Sequence, residues 1–121
     1  MKFCWCTIRV GNMDRSLEFY QNIIGLEISE RFTVGENIDV VFLGEGETKV
    51  ELIHDPDKAP TDSPYGITLG FEVDSLDDQL DFVKNKGIDV VEGPLQPAPG
   101  IKFFFVKDPD GVNIQFVEKN Y

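Results

Sequence analysis

Histidine and cysteine, the side chains most typical of transition-metal sites and nucleophiles, are scarce in this 121-residue chain. His54 is the single histidine, and its place after the run "VELI" predicts an exposed residue or one at the end of a strand. It cannot supply a two-histidine metal site. Cys4 and Cys6 have a C-x-C spacing that thiolate ligands can show. In a strand, however, they share a face with Ile8 and Val10, which favours buried core thiols.

Three further residues suggest contacts with a ligand. Arg9 and Glu51, if both lie inward, could pair and orient a ligand, or could form a purely structural ion pair. Trp5 could stack against a planar or cationic ligand, or its ring could fill the space and leave no pocket. These alternatives depend on which face of each strand the residues occupy.

Period-two alternation assigns those faces. The side chains predicted to pack under a helix are Ile8, Val10, Val50, Leu52, Ile67, Leu69, Phe71, Val73, Ile114 and Phe116. The opposite faces carry Trp5, Thr7, Arg9, Glu51, Ile53, Thr68, Gly70, Glu72, Gln115 and Val117. Polar groups scattered among apolar ones suit a ligand-sized cavity, although a sheet face open to water would give the same pattern.

The elements that carry these residues occur twice. In "MDRSLEFYQNIIGLEI" Asp14 is a plausible N-cap and Gly25 a stop signal, and in "VDSLDDQLDFVKNKGIDV" Ser75 and Gly87 have the same roles. The glycines lie 62 residues apart, and the flanking β-prone runs repeat with them. We therefore predict two β-α-β-β-β modules, residues 1–56 and 66–118, in one domain with a linker at 57–65. The string "DPDG", residues 108–111, predicts a turn without a catalytic role.

Composition narrows the class of partner. The chain has 22 acidic and 11 basic residues, a formal charge of −11, which repels nucleic acid and anionic membranes. The same charge attracts cations, or serves only to keep the protein in solution. No segment has the length of a membrane span or the pattern of a signal peptide, and two cysteines suit a reducing compartment. We expect a cytoplasmic protein with a small-molecule partner, without nucleic acid or membrane.

Three strings together resemble a known family: "RVGNMDRSLEFYQNIIGLEI", "YGITLGFEVDSLDDQLDFVKNKG" and "FVKDPDGVNIQFVE". They are similar to the glyoxalase, bleomycin-resistance and extradiol-dioxygenase superfamily, also called the vicinal oxygen chelate superfamily. The resemblance implies an α+β fold in which two paired β-α-β-β-β modules form a cupped eight-stranded mixed sheet. It also implies a homodimer with pockets at or near the interface, the modules pairing within one subunit or between subunits.

The resemblance also implies a set of metal-ligand positions. The metal-dependent lyases of this family hold a divalent ion with His or Gln, Glu, His and Glu, and these positions fall on Trp5, Glu51, Thr68 and Gln115 here. Only Glu51 is a strong ligand, because indole is a donor only and the Gln115 amide can neither titrate near neutrality nor bind such cations well. We predict no metal and no other cofactor at this position.

Three functions fit these residues. The first is a small-molecule-binding protein that sequesters a cationic or aromatic ligand through Trp5, Thr7, Arg9, Glu51, Thr68 and Gln115, as the metal-free antibiotic-binding branch of the family implies. The alternative is a glyoxalase I-like lyase or isomerase with a divergent or metal-free site that uses Glu51 as its catalytic base. The third is a structural or regulatory module whose cup is filled.

Overall fold

The computed structural model describes residues 1–60 and 66–120. The chain divides into two compact units, Met1–Asp62 and Ser63–Tyr121, here called module one and module two. Residues 61–65 of the predicted linker lie outside the described residues. No helix in the described part of the chain is long and apolar enough to span a membrane.

Each module has four strands and one helical segment. Module one contains β1 (Trp5–Arg9), α1 (Met13–Leu17) with a π-helical continuation (Glu18–Ile23), β2 (Ile28–Val34), β3 (Ile38–Leu43) and β4 (Lys49–His54). Module two contains β5 (Thr68–Glu72), α2 (Leu76–Asn85), β6 (Glu92–Ala98), β7 (Ile101–Lys107) and β8 (Asn113–Lys119).

The two sheets have equivalent connections. The strand order is β1-β4-β3-β2 in module one and β5-β8-β7-β6 in module two. The β1/β4 and β5/β8 pairs are parallel and the other pairs are antiparallel, so each sheet is mixed. The prediction of an α+β fold built from two β-α-β-β-β units is confirmed.

One face of each sheet forms the core with the helix. Alternation buries Ile8, Val10, Val50 and Leu52 in module one, where α1 contacts β4. In module two it buries Ile114, Phe116, Phe104 and Val106, together with Leu76 and Val83 of α2. These assignments agree with the predicted faces of β1, β4 and β8. Ile67 is an exception: it precedes β5 and is 55% exposed.

The opposite faces carry the predicted site residues. Because directly paired residues share a face, the ladder defines each set. The Glu51 face of module one includes Trp5, Thr7, Arg9, Phe32, Val40, Phe42, Lys49, Glu51 and Ile53, with Lys49 paired directly with Trp5. The Gln115 face of module two includes Thr68, Gly70, Glu72, Ile101, Phe103, Phe105, Lys107, Asn113, Gln115, Val117 and Lys119.

The helix ends confirm three of the four predicted signals. The Ser75 hydroxyl accepts a hydrogen bond from Asp78 N and caps α2, and both Gly25 and Gly87 have positive φ. Asp14 is wrong as the N-cap of α1, because the Asn12 side chain accepts the bond from Arg15 N. Both residue types cap well, and the helix begins one residue before Asp14.

The prediction that both cysteines are buried core thiols is wrong for Cys4. Cys4 is exposed and Cys6 is partly buried, and both are free thiols. Burial on this side of the chain begins at Ile8, so Cys4, which precedes β1, lies beyond the part of the sheet that forms the core.

The "DPDG" segment forms the predicted turn. Asp108 is 5% exposed, and its Oδ1 accepts hydrogen bonds of 2.8 Å from both Asp110 N and Val112 N. Gly111 N donates to Asp108 O at 3.1 Å. The Asp108 carboxylate therefore organises the loop that leads into β8.

Candidate functional site

The carboxylate of Glu51 lies beside a hydroxyl. Thr7 and Glu51 are directly paired across the parallel strands β1 and β4, and Thr7 Oγ1 donates a hydrogen bond to Glu51 Oε1. Glu51 is partly buried and Thr7 is exposed. This bond holds one carboxylate oxygen and leaves Oε2 as an acceptor on the same face.

Aromatic rings extend from this carboxylate across the Glu51 face. Trp5 is 51% exposed and makes an edge contact with Phe42, with ring centroids 5.2 Å apart and planes at 73°. Phe42 stacks on Phe32 at 6.2 Å and 27°. Phe42 pairs with Glu51 across β3 and β4, so the rings and the carboxylate are neighbours. Half of the indole surface remains open to a ligand.

Arg9 and His54 occupy the ends of their strands. Arg9 is partly buried at the end of β1, where it is paired with Ile53 and lies on the Glu51 face. His54 is partly buried at the end of β4 and paired with Asp39, in agreement with its predicted place at a strand end. Thr7, predicted only as a ligand contact, is also a direct hydrogen-bond partner of Glu51.

The other two predicted residues lie in module two. Thr68 is paired with Asn113, whose Nδ2 donates to Thr68 Oγ1 at 2.8 Å. Gln115 is paired with Gly70, and a methyl group added to Gly70 would lie 3.4 Å from Gln115 Oε1. This is an ordinary van der Waals distance, so the Gln115 amide lies close to Gly70 on this face.

A cavity of about 290 Å³ opens at the Thr68 end of the Gln115 face. It is lined by Gly66, Ile67, Thr68, Val91, Glu92, Phe105, Lys107 and Asn113. Of these, only Thr68 was among the predicted site residues. The others come from β6, β7, the start of β8 and the segments beside β5 and β6, and they could be placed only with the cross-strand register.

The donor atoms do not suit the divalent metal that the fold family implies. Trp5 offers an indole N–H donor, and Thr68 and Gln115 offer neutral oxygens that bind such metals weakly. The Glu51 carboxylate and the Thr68 hydroxyl also have protein partners. Within residues 1–60 and 66–120 no group of three or more His, Cys, Asp or Glu side chains could hold a metal ion. The residues present therefore do not fit a transition-metal centre.

Glu118, a carboxylate with a lowered pKa, has a structural position. Glu118 Oε1 accepts a hydrogen bond from Leu76 N at 2.8 Å, at the first turn of α2. This bond, with smaller contributions from Asn120 and Lys102, lowers the pKa of Glu118 despite its burial. Glu118 alternates with Gln115 and Val117 and lies on the helix-facing side of β8, so it stabilises the fold and is not on the Gln115 face.

Relatives are found by sequence along nearly the whole chain. A lactoylglutathione lyase of Neisseria meningitidis is 34% identical over 128 residues, covering 98% of this chain and 91% of the relative. A probable lactoylglutathione lyase of Synechocystis is 33% identical and covers 92% and 90% of the two chains.

Solved structures share the fold. The trypanothione-dependent glyoxalase I of Leishmania major has a TM-score of 0.82 at 24% identity, covering 98% of this chain and 86% of that one. TnmS3, an antibiotic binding protein from Streptomyces sp. CB03234, has a TM-score of 0.77 at 18% identity, covering 99% and 97%. These identities establish the fold alone.

The family model described as the Glyoxalase/Bleomycin resistance protein/Dioxygenase superfamily matches residues 2–116. The matched range takes in both modules and every predicted site residue. The chain belongs to the glyoxalase, bleomycin-resistance and dioxygenase superfamily.

Proposed function

We propose that this chain is a small-molecule-binding member of the superfamily that holds a cationic or aromatic ligand without a catalytic metal. In module one the ligand contacts are Trp5, Thr7, Arg9 and Glu51. In module two they are Thr68 and Gln115, on the Gln115 face.

One observation carries this proposal: a half-exposed indole beside a carboxylate on the Glu51 face. Trp5 contacts Phe42 at 5.2 Å, and Phe42 is paired with Glu51. An aromatic ring attracts a cation by roughly 0.5–2 kcal/mol, and a neighbouring carboxylate adds to that attraction. The formal charge of −11 raises the local concentration of cations around the protein.

The likeness in fold does not decide between binding and catalysis. The structural neighbours include both a glyoxalase I and an antibiotic binding protein. The residue types therefore carry the choice, and at the family's four ligand positions this chain keeps one carboxylate, Glu51. Three neutral side chains support binding better than metal-dependent proton transfer.

Fluorescence of the single tryptophan gives a direct test. Titration with phenyltrimethylammonium should quench or shift Trp5 emission, and Glu51→Gln should weaken binding roughly two- to fivefold, as expected for a partly exposed charge contact. Glu36→Gln, which removes an exposed carboxylate in the β2–β3 turn, is the matched control and should bind as wild type. Saturation at the same concentration by wild type and Glu51→Gln would contradict the proposal.

A second candidate is a lyase or isomerase in which Glu51 is the base. This candidate is supported by relatives that are 33–34% identical to this chain and are named lactoylglutathione lyase or probable lactoylglutathione lyase. The assay is turnover of lactoylglutathione by protein dialysed against a chelator. Turnover that survives chelation and is lost in Glu51→Gln but kept in Glu36→Gln would establish this candidate in place of simple binding.

We also propose that the protein is a homodimer, as the family resemblance implies. Sedimentation velocity should then give a mass near twice 13.7 kDa. A single species at 13.7 kDa over a range of concentrations would contradict this.

A further inference from the structure

The cavity at the Thr68 end of module two has apolar walls that are open to solvent. Ile67 is 55% exposed and Val91 is 52% exposed, and both line it together with the partly buried ring of Phe105. Large apolar side chains on one concave surface favour a ligand that covers them. At about 290 Å³ the cavity is at the small end of ligand sites, so the ligand must be compact.

Two opposite charges also line this cavity. Lys107 and Glu92 are both exposed. Glu92 is paired with Phe105 across β6 and β7, and Lys107 follows Phe105 by two residues, so both charges lie on the Gln115 face. Among the described residues neither makes an ion pair of 4.0 Å or less.

The register makes these two charges near neighbours on one face. Lys107 and Glu92 are diagonal neighbours, and such pairs have Cα atoms roughly 7–8 Å apart. This spacing leaves room for a small group between the ammonium and the carboxylate. A single group that pairs with both residues carries a negative and a positive charge a few bonds apart, as an α-amino acid does with its carboxylate and ammonium on one carbon.

We propose that this cavity binds the zwitterionic end of an amino-acid-like ligand. Lys107 pairs with the ligand carboxylate and Glu92 with the ligand ammonium group. The apolar part of the ligand covers Ile67, Val91 and Phe105, and the Asn113 amide, oriented by Thr68, is a polar contact at the base. This inference rests on the proposed small-molecule-binding function and specifies the ligand class for module two.

Three probes that share a phenyl ring but differ in their charged groups test the roles of Lys107 and Glu92 one at a time. L-phenylalanine carries both charges, 2-phenylethylamine only the positive one and 3-phenylpropanoate only the negative one. Calorimetric titration of Trp5→Ala, which lacks the indole of the site proposed in module one, should give the tightest binding for L-phenylalanine. The difference should be roughly two- to fivefold over each of the other two probes, since partly exposed ion pairs contribute modestly.

Variants then assign each charge to its residue. Lys107→Met should weaken L-phenylalanine and 3-phenylpropanoate but not 2-phenylethylamine, and Glu92→Gln should weaken L-phenylalanine and 2-phenylethylamine but not 3-phenylpropanoate. Lys84→Met on α2 and Glu36→Gln in module one are matched controls and should leave all three affinities unchanged. Thermal unfolding midpoints verify that each variant is folded.

Equal affinities for the three probes, or unchanged L-phenylalanine binding in Lys107→Met, would overturn this inference. Its failure is distinct from failure of the proposed function. If phenyltrimethylammonium does not bind at Trp5 but L-phenylalanine binding still depends on Lys107, the proposed site on the Glu51 face is wrong and the zwitterion site stands. The reverse result would support the site on the Glu51 face and exclude the zwitterion site.

Discussion

Thr7 and Glu51 are paired across the parallel strands β1 and β4, and the hydroxyl of Thr7 donates a hydrogen bond to Glu51 Oε1. The bond fixes the carboxylate beside the Trp5 and Phe42 rings. The position of the Glu51 carboxylate, the candidate binding or catalytic group, therefore depends on strand β1 as well as on β4.

Thr7→Val removes this hydrogen bond and keeps the β-branched shape. We expect a loss of about 1 kcal/mol in the free energy of unfolding, less than for a fully buried bond to a charged group, because Thr7 is exposed. Urea unfolding measures this loss. Thr7→Ser keeps the hydroxyl and should recover most of the stability, and a Thr7→Val variant as stable as wild type would refute the role of the bond.

Glu118→Gln should change how stability depends on pH. The Leu76 N–H lowers the pKa of Glu118, so its charged form stabilises the fold above the unfolded pKa, near 4.5. This contribution is lost as the pH falls through the lower folded pKa. Wild type should therefore exceed Glu118→Gln in stability near neutral pH, and the difference should shrink below about pH 4.5.

Unfolding by urea at pH 7, 5, 4 and 3 measures this difference. Glu36→Gln controls for the loss of one negative charge from an acidic protein, since Glu36 is exposed in a turn. A difference between wild type and Glu118→Gln that stays constant down to pH 3 would contradict the argument.

Gly93→Ala should be strongly destabilising. Gly93 has φ of +99°, and an added Cβ would lie 2.9 Å from Phe103 O and 3.0 Å from Phe104 Cα. Both the backbone strain and the clash with neighbouring backbone oppose the substitution, at a cost of roughly 1–3 kcal/mol. Gly46→Ala meets nothing within 4 Å and should stay within about 0.5 kcal/mol of wild type. Similar thermal midpoints for the two variants would exclude this explanation.

Asp108→Ala should loosen the turn before β8. It removes the acceptor for the N–H groups of Asp110 and Val112, and Val112 is buried, so we expect a loss of about 1–2 kcal/mol. Asp108→Asn retains an acceptor oxygen and should lose less. Hydrogen exchange at the Val112 amide should accelerate in Asp108→Ala, and unchanged exchange would argue against this role.

The sequence predicted the features that depend on local pattern. Alternation identified the buried faces of β1, β4 and β8, and Gly25 and Gly87, both with positive φ, marked the helix ends. The resemblance identified the family and the α+β fold. These succeed because side-chain period and glycine stereochemistry act within a few residues.

Features that depend on distant segments were missed. The Thr7–Glu51 bond and the pairing of Glu92 with Phe105 require a cross-strand register that one strand does not encode. The π-helical continuation at Glu18–Ile23 has no sequence signature comparable to a cap. Cys4 is exposed because it precedes β1, and only the later residues of that strand reach the core.

Strand β8 lies between β5 and β7, and in the described sheet it is the neighbour of β5. On the ribosome, β5 therefore emerges long before its partner, and the nascent chain must carry an unpaired strand until nearly all of module two has been synthesised. The same late strand supplies Glu118 to the start of α2. A chain that lacks residues 113–119 would therefore leave β5 and β7 without the strand between them, and the start of α2 without the Glu118 carboxylate.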